Sequence, residues 1–134
     1  MRRIAYLLMA VAGVLTVCAG PAAAIPGEQL GCRVSPPGTG TFTAPECLTN
    51  VASGSYSLSF AVLGGSGTYG HSWNTNGRPP QSGCLATTNF CNLRTVAVGG
   101  DQFITVSVVI TQAGQSATLS ATAFVPAVCG QVLC

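Results

Sequence analysis

Residues 103–111 read FITVSVVIT and alternate apolar with polar side chains along most of their length. A period of two is typical of a β-strand that buries one face and exposes the other. Thr105 and Ser107 fall on the exposed side. The stretch therefore predicts a strand whose buried row is Ile104, Val106, Val108 and Ile110.

The same alternation recurs on both sides of this strand, and no helical spacing of apolar residues persists for two turns. Turn residues separate the segments, and the residues 112–115 predict a four-residue hairpin connection. Residues 78–92 contain Pro79-Pro80 and predict a loop. Six or seven short strands without helices indicate an all-β sandwich of two antiparallel sheets. The further strands are predicted over residues 55–62, 68–74, 93–98 and 116–125, with one more expected over 40–43.

The first 24 residues have the three-part layout of an export signal. Arg2-Arg3 precede an apolar run of about 14 residues, which is shorter than the roughly 20 that a membrane-spanning helix needs. Pro21 then precedes Ala22-Ala23-Ala24, an A-x-A cleavage site that would leave Ile25 as the new N-terminus. We expect a secreted, extracellular protein without a membrane span in its mature part. Cys18 follows Val17, which is too large for a lipidation motif, so no lipid anchor is expected there.

The cysteines of the mature part predict disulfides, because an even number in an exported chain indicates pairing. Cys84–Cys91 is the first expected pair, since their short loop closes at little entropic cost. The other four allow either local pairs, Cys32–Cys47 with Cys129–Cys134, or cross-links between the N-terminal arm and the C-terminal tail. The six cysteines are Cys32, Cys47, Cys84, Cys91, Cys129 and Cys134.

Charge excludes two classes of partner. The whole chain carries a formal charge of +2, which comes from Arg2 and Arg3, and it contains no lysine. The mature part is neutral and sparsely charged. It lacks the basic patch on which nucleic-acid binding rests, and it offers no polybasic attraction to an anionic membrane.

The ionisable residues do not predict an enzyme. His71 is the one histidine and lacks the pattern of a nucleophile with its orienting acid. Glu28, Glu46 and Asp101 are too scattered to predict a carboxylate pair or a calcium cage. The cysteine spacing lacks the close ligand pairs of a zinc site. We therefore expect no catalytic residue, cofactor or metal.

Binding residues concentrate on loops that a rigid scaffold holds, and the proline-containing loop pinned by Cys84–Cys91 fits that description. Tyr69 is a further candidate, as part of an aromatic platform for a sugar or peptide, because amphipathic tyrosines commonly lie at the rims of binding sites. The candidate binding surface comprises Tyr69, His71, Arg78, Pro79, Pro80 and Phe90.

Two stretches carry a resemblance to known domains. Residues 67–77, GTYGHSWNTNG, and the hairpin over residues 103–117 are similar to segments of bacterial Ig-like and PKD-type domains. The resemblance implies an immunoglobulin-like sandwich over residues 47–126, with Trp73 filling its core. Residues 25–46 would then be a Pro/Gly-rich arm with a first strand, and residues 127–134 a cysteine-containing tail.

Such domains serve as spacers, adhesion modules or partner-binding modules. The leading prediction is accordingly a secreted, non-enzymatic binding or structural module whose partner is an extracellular protein, a glycan or a small molecule. The alternatives are a small-molecule carrier, similar in size to the Ig-like apoproteins of actinobacterial chromoproteins, and a protease inhibitor. A carrier would need a cleft lined by Phe90, Tyr69 and Trp73, whereas an inhibitor would present Arg78 or Arg94 on a rigid loop.

Overall fold

A computed structural model describes residues 25–37, 40–65 and 67–134 of the chain. The predicted signal peptide and Cys18 lie outside the described residues. Within them the regular elements are strands, and no helix is long and apolar enough to cross a membrane. The strands are β1 (Gln29–Ser35), β2 (Glu46–Leu48), β3 (Ser55–Leu63), β4 (Gly70–Asn74), β5 (Pro80–Gly83), β6 (Phe90–Val96), β7 (Gln102–Gln112), β8 (Gln115–Val125), β9 (Val128–Cys129) and β10 (Val132–Leu133).

Eight of these strands form two four-stranded sheets. The first has the order β1-β3-β6-β5 and is antiparallel throughout. The second has the order β2-β8-β7-β4, in which β2 runs parallel to β8 and the other pairs are antiparallel. The strands β9 and β10 form a small hairpin at the C-terminus.

The core lies between the two sheets and is built from alternate residues of their strands. From the first sheet β3 contributes Tyr56, Leu58 and Phe60, which are fully buried. From the second sheet β7 and β8 contribute the rows that their alternation predicts. The buried residues of the second sheet are Ile104, Val106, Val108, Ile110, Ala121, Ala123 and Val125. The all-β class is therefore confirmed.

The N-terminal arm belongs to both sheets. Its first strand, β1, pairs with β3 of the first sheet. Thr43 then forms a single bridge to Cys32. The strand β2 follows and pairs with β8 of the second sheet. The Cys32–Cys47 disulfide joins β1 to β2 across a sequence separation of 15 residues. One edge of the sandwich is thus closed covalently.

The structure corrects the predicted position of the first strand. It lies at β1, Gln29–Ser35, whereas residues 40–43 contribute a single bridge. Leu30, Cys32 and Val34 alternate and are buried, but they lie in the Pro/Gly-rich segment 25–45, whose composition indicates an irregular arm. A Cβ at Gly31 would lie against the end of the Leu63 side chain, so that side chain would have to shift.

Two other connections differ from the sequence prediction. Residues 78–92 are not a continuous loop, because they contain β5 and the start of β6. The strand β5 has no apolar alternation, and Pro80 is tolerated as the first residue of an edge strand.

The hairpin between β7 and β8 has two loop residues instead of four, since Gln112 pairs with Gln115. Ala113 and Gly114 have φ of 50° and 77°, as a type I′ turn requires.

All six cysteines of the described chain are paired. The expected Cys84–Cys91 bond is present. The other four form local pairs, Cys32–Cys47 and Cys129–Cys134, which is one of the two arrangements that the sequence leaves open.

We predict that replacing both Cys32 and Cys47 by alanine lowers the free energy of unfolding by about 3 kcal/mol, as expected for releasing a loop of this length. Urea unfolding followed by intrinsic fluorescence measures the change. The matched control replaces Cys129 and Cys134, which are exposed and close a shorter loop, and it should cost less. An equal or larger loss of stability in the Cys129 and Cys134 variant would contradict the stabilising role assigned to the Cys32–Cys47 bond in the arm.

Candidate functional site

Three aromatic residues lie at alternate positions along β4, the edge strand beside β7, and the residue just before it. The rings of His71 and Trp73 are stacked, with centroids 6.1 Å apart and an interplanar angle of 11°. Tyr69 meets His71 edge-on, with centroids 6.5 Å apart. The period of two along the strand places all three on the same side.

Trp73 packs against the core and is anchored by its indole nitrogen. Its Nε1–H donates a hydrogen bond to the carbonyl oxygen of Thr88 at 3.1 Å. The backbone N–H of His71 donates to Ala86 at 3.0 Å. Both acceptors belong to the loop between Cys84 and Cys91, so β4 is tied to this disulfide-closed loop.

His71 is buried, with 8% of its surface exposed, and neither ring nitrogen has a hydrogen-bond partner. A buried polar group without a partner lowers stability by about 1–3 kcal/mol. The ring nevertheless borders a pocket of about 320 Å³ with Tyr69, Thr87 and Asn89.

Tyr69 connects this pocket to the N-terminal arm. Its hydroxyl donates a short hydrogen bond to Oε1 of Glu28. This bond raises the pKa of Tyr69 above the ordinary 10.0, and desolvation and the negative charge of Glu28 act in the same direction. Sequence reasoning placed Glu28 in a separate arm and missed this contact, because it depends on the pairing of β1 with β3.

The structure divides the predicted binding surface between two places. Tyr69 and His71 lie beside the Cys84–Cys91 loop, and Phe90 starts β6 there, half-exposed against Gly83. Arg78 and Pro79 lie at the opposite end of β5.

The region around Arg78 is a compact turn. Thr75 Oγ1 donates to the carbonyl oxygen of Arg78 at 2.6 Å, and Asn76 and Gly77 form the turn between them. Arg94 lies within β6 opposite Ser57, so it is not presented on a loop. The protease-inhibitor alternative remains a prediction.

No cluster of three or more His, Cys, Asp and Glu residues that could hold a metal occurs among the described residues. The expectation of a non-enzymatic protein remains a prediction.

A different surface, absent from the sequence prediction, has the clearest apolar character. Leu48 lies opposite Phe124, and Phe124 lies opposite Phe103, so the three side chains form one row across β2, β8 and β7. The row is on the outer face of the second sheet. The two phenyl rings are 5.0 Å apart and tilted by 47°. We call Leu48, Phe103 and Phe124 the apolar row.

The apolar row borders a groove of about 450 Å³, whose floor and rim include Thr43, Glu46 and Thr122. Leu48 is 70% exposed and Phe103 is 71% exposed. The next outward row along the sheet is polar, because Thr105 and Thr122 share a hydrogen bond at 2.9 Å. The apolar surface is therefore confined to one end of the sheet.

The signal for this surface was present in the sequence. Phe103 and Phe124 fall on the Thr105 and Thr122 side of their strands, which is the side that faces solvent. An aromatic residue on the outward side of an otherwise Ser/Thr face is the anomaly that indicates a contact surface. Leu48 could not be added from the sequence, because the parallel pairing of β2 with β8 was not predicted.

The chain was compared with protein-family models, with curated proteins and with solved structures, and no match was found in any of the three comparisons.

We predict that His71→Phe raises the free energy of unfolding by about 1 kcal/mol, because it removes two buried nitrogens without partners and keeps an aromatic ring beside Trp73. Urea unfolding measures the change. As a control, Trp73→Phe should lower stability, since it loses the hydrogen bond to Thr88. A clear loss of stability in His71→Phe would show that the imidazole has a partner in solution.

We predict that Glu28→Gln lowers the pKa of Tyr69 towards 10.0. A raised pKa means that the folded state holds the phenol proton more tightly than the unfolded state. The contribution to stability is therefore complete below pH 10.0 and is lost as the pH rises through the folded pKa. The pKa of Tyr69 is measured from phenolate absorbance against pH. The titration curve of Tyr69→Phe is subtracted to remove the signal of Tyr56. An unchanged pKa in Glu28→Gln would contradict the assigned cause.

Proposed function

We propose that this chain is a secreted, non-enzymatic binding module with an immunoglobulin-like sandwich, and that it binds an extracellular protein through the apolar row. The observation that carries the proposal is the exposure of Leu48 and Phe103, at 70% and 71%, around a groove. Contiguous apolar surface of this kind on a soluble domain marks interaction sites.

Strand order supports the Ig-like assignment. When β1 and β3 to β8 are lettered A to G in chain order, the sheet β1-β3-β6-β5 has the strand order A-B-E-D of an immunoglobulin domain. The strands β4, β7 and β8 of the other sheet then correspond to C, F and G. Trp73 lies on the strand equivalent to C and packs against the core, where Ig domains place a tryptophan.

Secretion is supported by two independent features. The first is the signal-like N-terminal sequence. The second is the set of three disulfides, which form and persist in oxidising compartments.

The exposure of the groove walls favours a protein partner. A pocket for a small molecule typically buries 70–90% of its ligand. Leu48 and Phe103 stand clear of the surface, so a molecule small enough to enter the groove would leave their outer sides in water. A protein that inserts an apolar side chain and also covers the walls would bury the whole row, as aromatic anchors are buried at the centres of interfaces.

Charge supports the same kind of contact. Glu46 is the one charged residue among those that line the groove. Association should therefore depend on apolar burial and change little with salt.

We predict that a photo-crosslinking amino acid at Thr105, beside the apolar row, captures a protein when the chain is secreted by its own host. The same group at Thr118 is the matched control, because Thr118 is exposed on β8 farther along the same sheet face. Capture should require Phe103 and be lost in Phe103→Ser, which should weaken binding of the identified partner at least about tenfold. Phe90→Ser removes an exposed aromatic residue outside the groove and should leave capture unchanged.

Equal capture from Thr105 and Thr118, or capture that survives Phe103→Ser, would overturn the assignment. A small molecule that remains bound under native mass spectrometry and is lost in Phe103→Ser would replace it with the carrier function.

A further inference from the structure

The first described residues bend at Pro26 and Gly27, and the φ of Gly27 is 94°. Proline followed by a glycine with positive φ is the residue pattern of a type II turn. Ile25 and Glu28, on either side of the bend, line the same small cavity.

Ile25 is fixed in the core. It is 8% exposed and belongs to the same buried cluster as the residues of both sheets. The backbone nitrogen of Ile25 is consequently held at a defined place.

Glu28 has a binding capacity that the described contacts do not fill. It is 8% exposed, its Oε1 accepts the Tyr69 hydroxyl, and its Oε2 has no hydrogen-bond partner. A buried carboxylate oxygen of this kind is costly unless a donor or cation meets it. Gly65 also lies against this carboxylate, and a side chain there would collide with both Glu28 and Tyr69.

The arginines of the described residues lie at other places in the fold. Arg33 lies over the ring of Phe42, with 5.1 Å to its centroid. Arg78 follows β4, and Arg94 lies within β6. The sequence contains no lysine.

A cavity of about 240 Å³ adjoins the unpartnered carboxylate. Ile25, Glu28, Tyr69 and Gln112 are among the residues that line it. The Tyr69 hydroxyl contacts Glu28, and the other polar side chains that line the cavity, Gln112 and Gln115, are uncharged. The cavity therefore combines a negative group with neutral surroundings at the position where the chain would start after export.

We propose that cleavage of the Ala24–Ile25 bond creates an α-ammonium group on Ile25 that forms an ion pair with Glu28 inside this cavity. An export peptidase hydrolyses the bond, water supplies the hydroxyl of the new Ala24 carboxyl group, and the released amine takes up a proton. The inference rests on the secretion that the proposed function includes. Removal of the leader then completes the fold, because it supplies the cation that Glu28 otherwise lacks.

The test uses the full chain, secreted by a bacterial host, with its N-terminus established by intact mass. Because the sequence has no lysine, the α-amine of Ile25 is the sole primary amine of the processed chain. Its rate of acetylation by an N-hydroxysuccinimide ester at neutral pH then reports on this one group. We expect the native chain to react at least about tenfold more slowly than the chain in urea, which corresponds to one unit or more in the pKa of the amine.

Glu28→Gln should restore most of the unfolded rate, whereas a group protected only by burial would stay slow. A glycine inserted before Ile25 moves the amine away from the carboxylate and should also restore the rate, and this variant remains informative if Glu28→Gln does not fold. Equal rates for the native and unfolded chains, or slow reaction in both folded variants, would overturn the ion pair. A mature chain that begins elsewhere than Ile25 would also overturn the ion pair. The crosslinking at Thr105 tests the groove beside the apolar row separately, so the two proposals can fail independently.

Discussion

The passage of the N-terminal arm from one sheet to the other is the constraint on which the rest of the structure depends. β1 pairs with β3, β2 pairs in parallel with β8, and the Cys32–Cys47 bond holds the two segments together. Parallel pairing of a three-residue strand contributes few hydrogen bonds. The disulfide therefore supplies the local stability that such a short strand lacks by itself.

Both candidate sites are consequences of this arrangement. The parallel register of β2 sets Leu48 beside Phe124 and so completes the apolar row. At the other end of the arm, Glu28 directly precedes β1 and accepts a hydrogen bond from the hydroxyl of Tyr69. A shift of β2 by one residue would turn Leu48 towards the core and remove one wall of the groove, because adjacent side chains on a strand face opposite sides.

The sequence predicts those parts of the fold in which the alternation of side chains is regular. The strands β3, β7 and β8 are visible because their buried rows are continuous and apolar. β1 was not predicted, although Leu30, Cys32 and Val34 alternate, because the Pro/Gly-rich composition of residues 25–45 indicates an irregular arm. The apolar row could be inferred only in part, since two of its members lie on strands with clear alternation and the third depends on a long-range pairing. Long-range register is set by the partner strand and leaves no local trace in the sequence.

Each edge of the two sheets carries a feature that limits strand addition. β1 is met by Thr43 through a pair of backbone hydrogen bonds at 2.8 and 3.0 Å, and β4 is met at His71 by the carbonyl oxygen of Ala86. β5 begins with Pro80, and β2 has only three residues. Free strand edges are the usual route to uncontrolled self-association through backbone pairing. A sandwich with edges of this kind can expose an apolar face on one sheet while its strand edges offer little backbone for pairing with another copy.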